Sequence, residues 1–172
     1  MVYLKEHLKQ IVINILMLLF IYAFAGGAYL LIETFYRGYT FLEMFYLAGF
    51  LGIIAALIND EFYSYKTDYL IQTVTLTIIG TAAEGITGVL FNSDYHIWDY
   101  RGLWGSFFYG QCNVLFMIAW FGLFFILLPV IDYIEWRMFN YQPDNPPSYQ
   151  IAGHVFFQFK SERKEKYYLW LM

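Results

Sequence analysis

With 172 residues, 60% of them hydrophobic and 14% charged, the chain has far fewer charges than the ~25% of an ordinary soluble domain, and its mean hydropathy is +0.48. It reads as an all-α polytopic membrane protein whose first partner is the lipid bilayer. A net charge of -4 excludes the basic footprint of a nucleic-acid binder, and the single cysteine, Cys112, excludes an intramolecular disulfide or a cysteine-built zinc site.

Residues 1–10 form a basic lead-in with Lys5, His7 and Lys9. It is expected to be retained, because the apolar run behind it is long and Glu33 and Arg37 stand where a small-residue cleavage site would be. The first span is predicted over about 11–32, near the ~20 residues that cross a hydrocarbon core. Asn14 is polar within it, and Ala25, Gly26 and Gly27 give a waist narrow enough for a second helix. Glu33 and Arg37 follow at i, i+4 spacing, which suits an ion pair on one face.

The second span, about 41–58, places Ala48, Gly52 and Ala56 four residues apart, a small-residue ridge for helix contact. Asn59, Asp60 and Glu61 stop it, and a polar loop with Lys66 leads to Asp68. The third span, about 69–91, carries Gly80, Glu84 and Gly88 on one face. A carboxylate there is costly in lipid and is expected to face the bundle. Two uses fit it: a structural hydrogen bond or ion pair, or a transport, proton-relay or ligand role.

An aromatic loop with Trp98, Asp99, Tyr100 and Arg101 leads to the fourth span, about 106–131, which opens with Gly110, Gln111 and Asn113. Pro129 is expected to bend or end this helix. Asp132, Glu135, Trp136 and Arg137 then suit an amphipathic continuation at the interface. The expected architecture is a four-transmembrane-helix bundle over residues 1–141 with a short amphipathic C-terminal extension. Residues 142–172 read as a turn-rich linker and a basic, aromatic tail with Lys160, Arg163, Lys164 and Lys166.

Four spans put both termini on one side. Placing them in the cytoplasm leaves only Arg37 and Arg101 outside, as the positive-inside bias requires. Glu33, Arg37, Glu84, Asn92, Trp98, Asp99, Tyr100, Arg101, Gln111 and Asn113 then gather near the outer leaflet as one polar cluster. Internal charge pairing within that cluster is one outcome. A ligand pocket is the other.

The succession I-E-x-x-x-R-G-Y-T at Ile32–Thr40, M-F-x-x-x-G-F at Met44–Phe50, I-N at Ile58–Asn59, E-G-I-T-G-x-x-x-N at Glu84–Asn92, I-W-D-Y at Ile97–Tyr100 and G-Q-C at Gly110–Cys112 resembles the ABC-transporter type IV family of small bacterial membrane proteins. Trp120 and Asp132 continue the likeness, which covers about 22–149. Arg101 stands where that family usually has serine, Ser106 near a usual asparagine, and Phe41 and Leu42 where His-Trp is common. The resemblance implies a bacterial cytoplasmic membrane location and an ABC-permease-like role. The chain has no phosphate-binding loop, so any ATPase would be a separate polypeptide docking at the loop around residues 62–69.

No H-E-x-x-H, no G-x-S-x-G and no Cys-His pair appears, so the chain reads as a non-enzyme without a cofactor. His96, Asp99 and Glu84 could bind a metal only if folding brought them together. Two readings follow. In one the protein is a transport-type component in which Glu84, Asp99, Arg101 and Gln111 line an outward-facing pocket and a partner supplies energy. In the other it is a membrane scaffold or accessory subunit, and the same residues are internal glue. Four spans are few for a transporter acting alone, so both readings expect a homo-oligomer or a hetero-complex.

Overall fold

The computed structural model describes residues 2–61, 67–141 and 146–160. Among these are four α-helices: α1 (Val2–Arg37), α2 (Leu42–Glu61), α3 (Tyr69–Phe91) and α4 (Val114–Met138). Three of them are long and apolar enough to cross a membrane, and α2 contributes a shorter apolar run, Leu42–Ile58. Lys66, the expected ATPase-docking loop before Thr67, the first half of the linker (142–145), and the tail residues Arg163, Lys164 and Lys166 lie outside the described residues.

α1 is longer than the span expected within it. No proline interrupts its 36 residues, which at 1.5 Å each reach ~54 Å, well beyond a hydrocarbon core of ~30 Å. It stops where Gly38 takes a left-handed φ of +81° and its N–H donates to the Thr34 carbonyl at 2.8 Å, the backbone closure that commonly ends a helix. The chain then turns into α2, and the two helices pair closely through small residues. A Cβ at Gly26 would lie 2.7 Å from the Phe45 ring, one at Gly49 2.7 Å from Tyr22, and one at Gly52 2.6 Å from Ala25.

α3 begins at Tyr69 because the Asp68 carboxylate accepts from the Leu70 N–H at 2.9 Å, an N-cap. Its threonines are compatible with an apolar setting because Thr73, Thr75 and Thr77 donate to carbonyls one turn back, at 2.8, 2.9 and 2.8 Å. The helix ends at Asn92, whose N–H donates to the Gly88 carbonyl at 3.0 Å.

The start of the fourth helix corrects the sequence expectation. Residues 106–113 are not helical: β1 (Ser106–Phe107) pairs antiparallel with β2 (Cys112–Asn113) across a tight turn at Phe108–Gly110. Gly105, Phe108, Tyr109 and Gly110 all have positive φ, which no right-handed helix allows. α4 starts only when the Asn113 side chain caps it, accepting from Leu115 N–H at 2.8 Å. Beyond Pro129, which bends or ends the helix by expectation, α4 runs on without a break to Met138, the helical continuation expected there.

The C-terminal segment is likewise not a plain extension. β3 (Ser148–Ile151) and β4 (His154–Gln158) form an antiparallel hairpin, turned by Ala152 and Gly153, both at positive φ. The fold is therefore mostly helical with two small two-stranded sheets, rather than all-α. The hairpin is fastened to the base of α3, where Asp68 accepts from the Ala152 N–H at 2.7 Å, and Tyr149 reaches under the bundle to donate to Asp132. Asp132, Glu135 and Trp136 are buried, at 2%, 3% and 3% exposure, so the two carboxylates do not form the outward polar face expected of an amphipathic stretch.

The core runs through Ile21, Leu51, Ala55, Leu76, Phe124, Leu128 and Ile131. Leu31, Ile78, Leu90, Ile118 and Ile126 remain more than half exposed on the outside. A contiguous apolar exterior of this kind suits lipid contact.

Candidate functional site

The polar residues gather at the end of the bundle carrying the α1–α2 turn and the α3–α4 loop. Two buried amides organise this end. The Asn92 carboxamide oxygen accepts from the Ile97 N–H at 2.8 Å, and its nitrogen donates to the Trp98 carbonyl at 2.6 Å and to Gln111 Oε1 at 3.1 Å. Gln111 Nε2 returns a bond to the Asn92 carbonyl at 2.9 Å, and the Trp98 indole donates to the Gln111 carbonyl at 3.0 Å. The loop is thus folded onto the end of α3 by side chains from both its flanks. Gly88 makes room for this, because a Cβ there would fall 2.5 Å from Gln111 Oε1.

Glu84 lies one turn deeper on α3, 2% exposed. Each carboxylate oxygen has its own donor: the Tyr100 hydroxyl at 3.0 Å to Oε1 and the Trp120 indole at 3.2 Å to Oε2. Both donors are held by stacking, Tyr100 on Phe116 at 4.4 Å and Trp120 on Tyr29 at 5.4 Å. The gaps left by the glycines on either side are filled by neighbours. Phe124 would lie 2.8 Å from a Cβ at Gly80, and Gln111 occupies the place beside Gly88.

Glu33 and Arg37 tie α1 to the same loop. Arg37 Nη2 is 2.9 Å from Glu33 Oε1, its Nη1 donates to the Ile97 carbonyl at 2.7 Å, and Thr40 donates to the other oxygen of Glu33. The guanidinium also lies 4.6 Å from the Tyr39 ring centre. Asn113 completes the loop by donating to the Trp104 carbonyl at 2.9 Å.

Asp99 and Arg101 do not join Glu84. They face outward as a bidentate pair at 2.9 and 2.8 Å, with Arg101 lying 3.6 Å over the Tyr95 ring. The Arg101 guanidinium, with its backbone N–H, holds the Asp99 carboxyl down to about 2. The residues expected to line one pocket are therefore divided, with Glu84 and Gln111 inside and Asp99 and Arg101 outside. His96 pairs with Asp94 instead of approaching Glu84, and among the described residues no group of three or more potential ligands could hold a metal ion.

Among the packing residues named from sequence, Gly26, Gly52, Gly80 and Gly88 sit at close approaches, and Ala48 and Ala56 are buried. Gly27 faces open space. Sequence reasoning missed Gly49 against Tyr22 and Gly85 against Cys112 and Phe108. Gly49 follows Ala48 inside the M-F-x-x-x-G-F motif, a signal that was visible; the contact that uses Gly85 depends on the non-helical turn, which was not. Trp120 and the Tyr149–Asp132 contact were also missed, because their partners are distant in the chain.

A cleft remains between α1 and α4. Near the loop it is a cavity of about 340 Å³ lined by Tyr29, Glu33, Arg37, Trp98, Tyr100 and Phe116. Deeper, a cavity of about 210 Å³ is lined by Phe24, Ala28, Ile126 and Val130. Both are bordered by Tyr29, Ile32 and Leu123. The chain matches no known protein family, no curated protein and no solved structure.

Proposed function

We propose that the protein is a four-span component of the bacterial cytoplasmic membrane, with both termini in the cytoplasm, that acts as a non-catalytic, non-transporting scaffold or accessory subunit assembling with other membrane proteins. The observation carrying this reading is the closure of the polar cluster. Glu84, Asn92 and Gln111 spend their polar atoms on Tyr100, Trp120, Trp98 and one another, as internal glue would. The apolar run of α2, Leu42–Ile58, rises ~25 Å, at the short end of the ~17–25 residues that can serve as a span. The basic residues Lys5, Lys9, Arg137 and Lys160 against Arg37 and Arg101 support the orientation. Assignment to the ABC-transporter type IV family rests on the sequence motifs alone.

A transport-type reading, with a separate ATPase, draws on a different observation: the α1–α4 cleft reaches the Glu33–Arg37 pair. Purification of the native-level protein in nanodiscs, followed by identification of what co-purifies, separates the two. The scaffold reading expects a stoichiometric non-ATPase membrane partner, and a Glu84→Gln variant in which folded protein and captured partner fall together. A stoichiometric ATPase, with Glu84→Gln altering substrate response at unchanged folded protein, would replace it with the transport reading. Truncation after Lys160 tests the tail while preserving the hairpin, which a cut after Tyr149 would destroy.

A further inference from the structure

We infer that the cleft between α1 and α4 binds one zwitterionic phospholipid carrying a primary ammonium, with an acyl chain between the two helices and the headgroup at Glu33 and Arg37. This goes beyond the scaffold reading and does not depend on it.

The polarity of the cleft follows that of a single bilayer leaflet. Its deep part is walled by Phe24, Ala28, Ile126 and Val130, and its upper part ends at a carboxylate and a guanidinium. Along α4 the lining runs from Phe116 to Val130, a rise of ~21 Å, against ~15 Å for half of a hydrocarbon core. An acyl chain can therefore lie in the cleft over the depth of its leaflet.

Two groups along the path have hydrogen-bonding capacity to spare. Tyr29 lines both cavities, and among the described residues its hydroxyl has no hydrogen-bond partner, its ring being held by Trp120. Such a hydroxyl suits an ester carbonyl. Arg37 lines the upper cavity and its guanidinium fork carries more N–H donors than the Ile97 and Tyr39 carbonyls take up, a shape well suited to a phosphate oxygen.

The charges select the headgroup. Glu33 and Arg37 together are neutral, so an anionic lipid gains nothing from the pair as a whole. A zwitterion gains at both ends, phosphate toward Arg37 and ammonium toward Glu33, whose carboxylate oxygens retain lone pairs beyond those used by Arg37 and Thr40. Tyr36, Trp98 and Tyr100 line the rest of the upper cavity without adding charge.

The test is native mass spectrometry of the full chain released from nanodiscs made of equal parts phosphatidylethanolamine and phosphatidylglycerol. One phosphatidylethanolamine should remain per chain in preference to phosphatidylglycerol. Ala28→Trp, which fills the apolar part, should lower the bound fraction about tenfold while the protein stays monodisperse. Tyr29→Phe preserves the ring and its stacking, so it serves as the milder variant should Ala28→Trp not fold, and it should lower retention about threefold without changing the unfolding temperature. Retention of no lipid, equal retention of the two lipids, or retention unchanged in the folded variants would overturn the inference.

Discussion

Replacing Asn92 by alanine should destabilise the protein through the loop rather than through lost packing. The side chain is wholly buried, at 0% exposure, and makes three hydrogen bonds, to the Ile97 N–H, the Trp98 carbonyl and the Gln111 amide. At ~1 kcal/mol for each, the loss is ~3 kcal/mol, and more where a stranded partner cannot reach water. For a chain of this size that is a fall of about 6–12 °C in unfolding temperature. Gln111→Ala removes two side-chain bonds, both to Asn92, a loss of ~2 kcal/mol. One of these, from Asn92 Nδ2 to Gln111 Oε1, is counted in both single variants. The double variant should therefore lose ~4 rather than ~5 kcal/mol, a coupling of ~1 kcal/mol. Thermal unfolding of nanodisc-embedded protein followed by intrinsic tryptophan fluorescence measures all three variants. Additive losses, or a loss below ~1 kcal/mol for Asn92→Ala, would refute the claim that the two amides lock the loop.

Two glycines should respond in opposite directions in the same assay. Gly49→Ala brings a Cβ to 2.7 Å from the Tyr22 ring, itself held edge-on between Phe45 and Phe50, and should cost ~1–3 kcal/mol by overpacking. Gly27→Ala meets nothing within 4 Å and should gain ~0.5–1 kcal/mol of helix propensity. A loss at both positions would show that Gly27 meets a neighbour in the folded protein. At the exposed loop, the folded carboxyl of Asp99 sits at about 2, below its ordinary value of 3.8. Its pairing with Arg101 therefore contributes fully above pH ~4 and is lost as pH falls from there through ~2. NMR of the Arg101 side-chain N–H should follow that window and become flat in Asp99→Asn; a titration that survives the substitution would assign it to another group.

Local sequence was enough where one segment contained both the cause and its effect. The extent of α3, Tyr69–Phe91, follows from its apolar run and the preceding Asp68. The Glu33–Arg37 pair follows from i, i+4 geometry, and the small-residue packing of α1 on α2 follows in part from the spacing of glycines and alanines. Tertiary structure decided the rest. Hydropathy continued the fourth span back to Ser106 because Phe107, Phe108 and Cys112 are apolar, but positive φ at Gly105, Phe108, Tyr109 and Gly110 makes that stretch a turn. Composition placed Asp132 and Glu135 at an interface, whereas a hairpin that follows them in the chain folds back so that Tyr149 meets Asp132. Asp99 lies beside Tyr100 in sequence, yet Tyr100 points in to Glu84 and Asp99 points out to Arg101. The Tyr149–Asp132 and Tyr100–Glu84 contacts depend on partners brought together only by packing, so a pattern of single residues indicates that a polar cluster forms but not which of its members face one another.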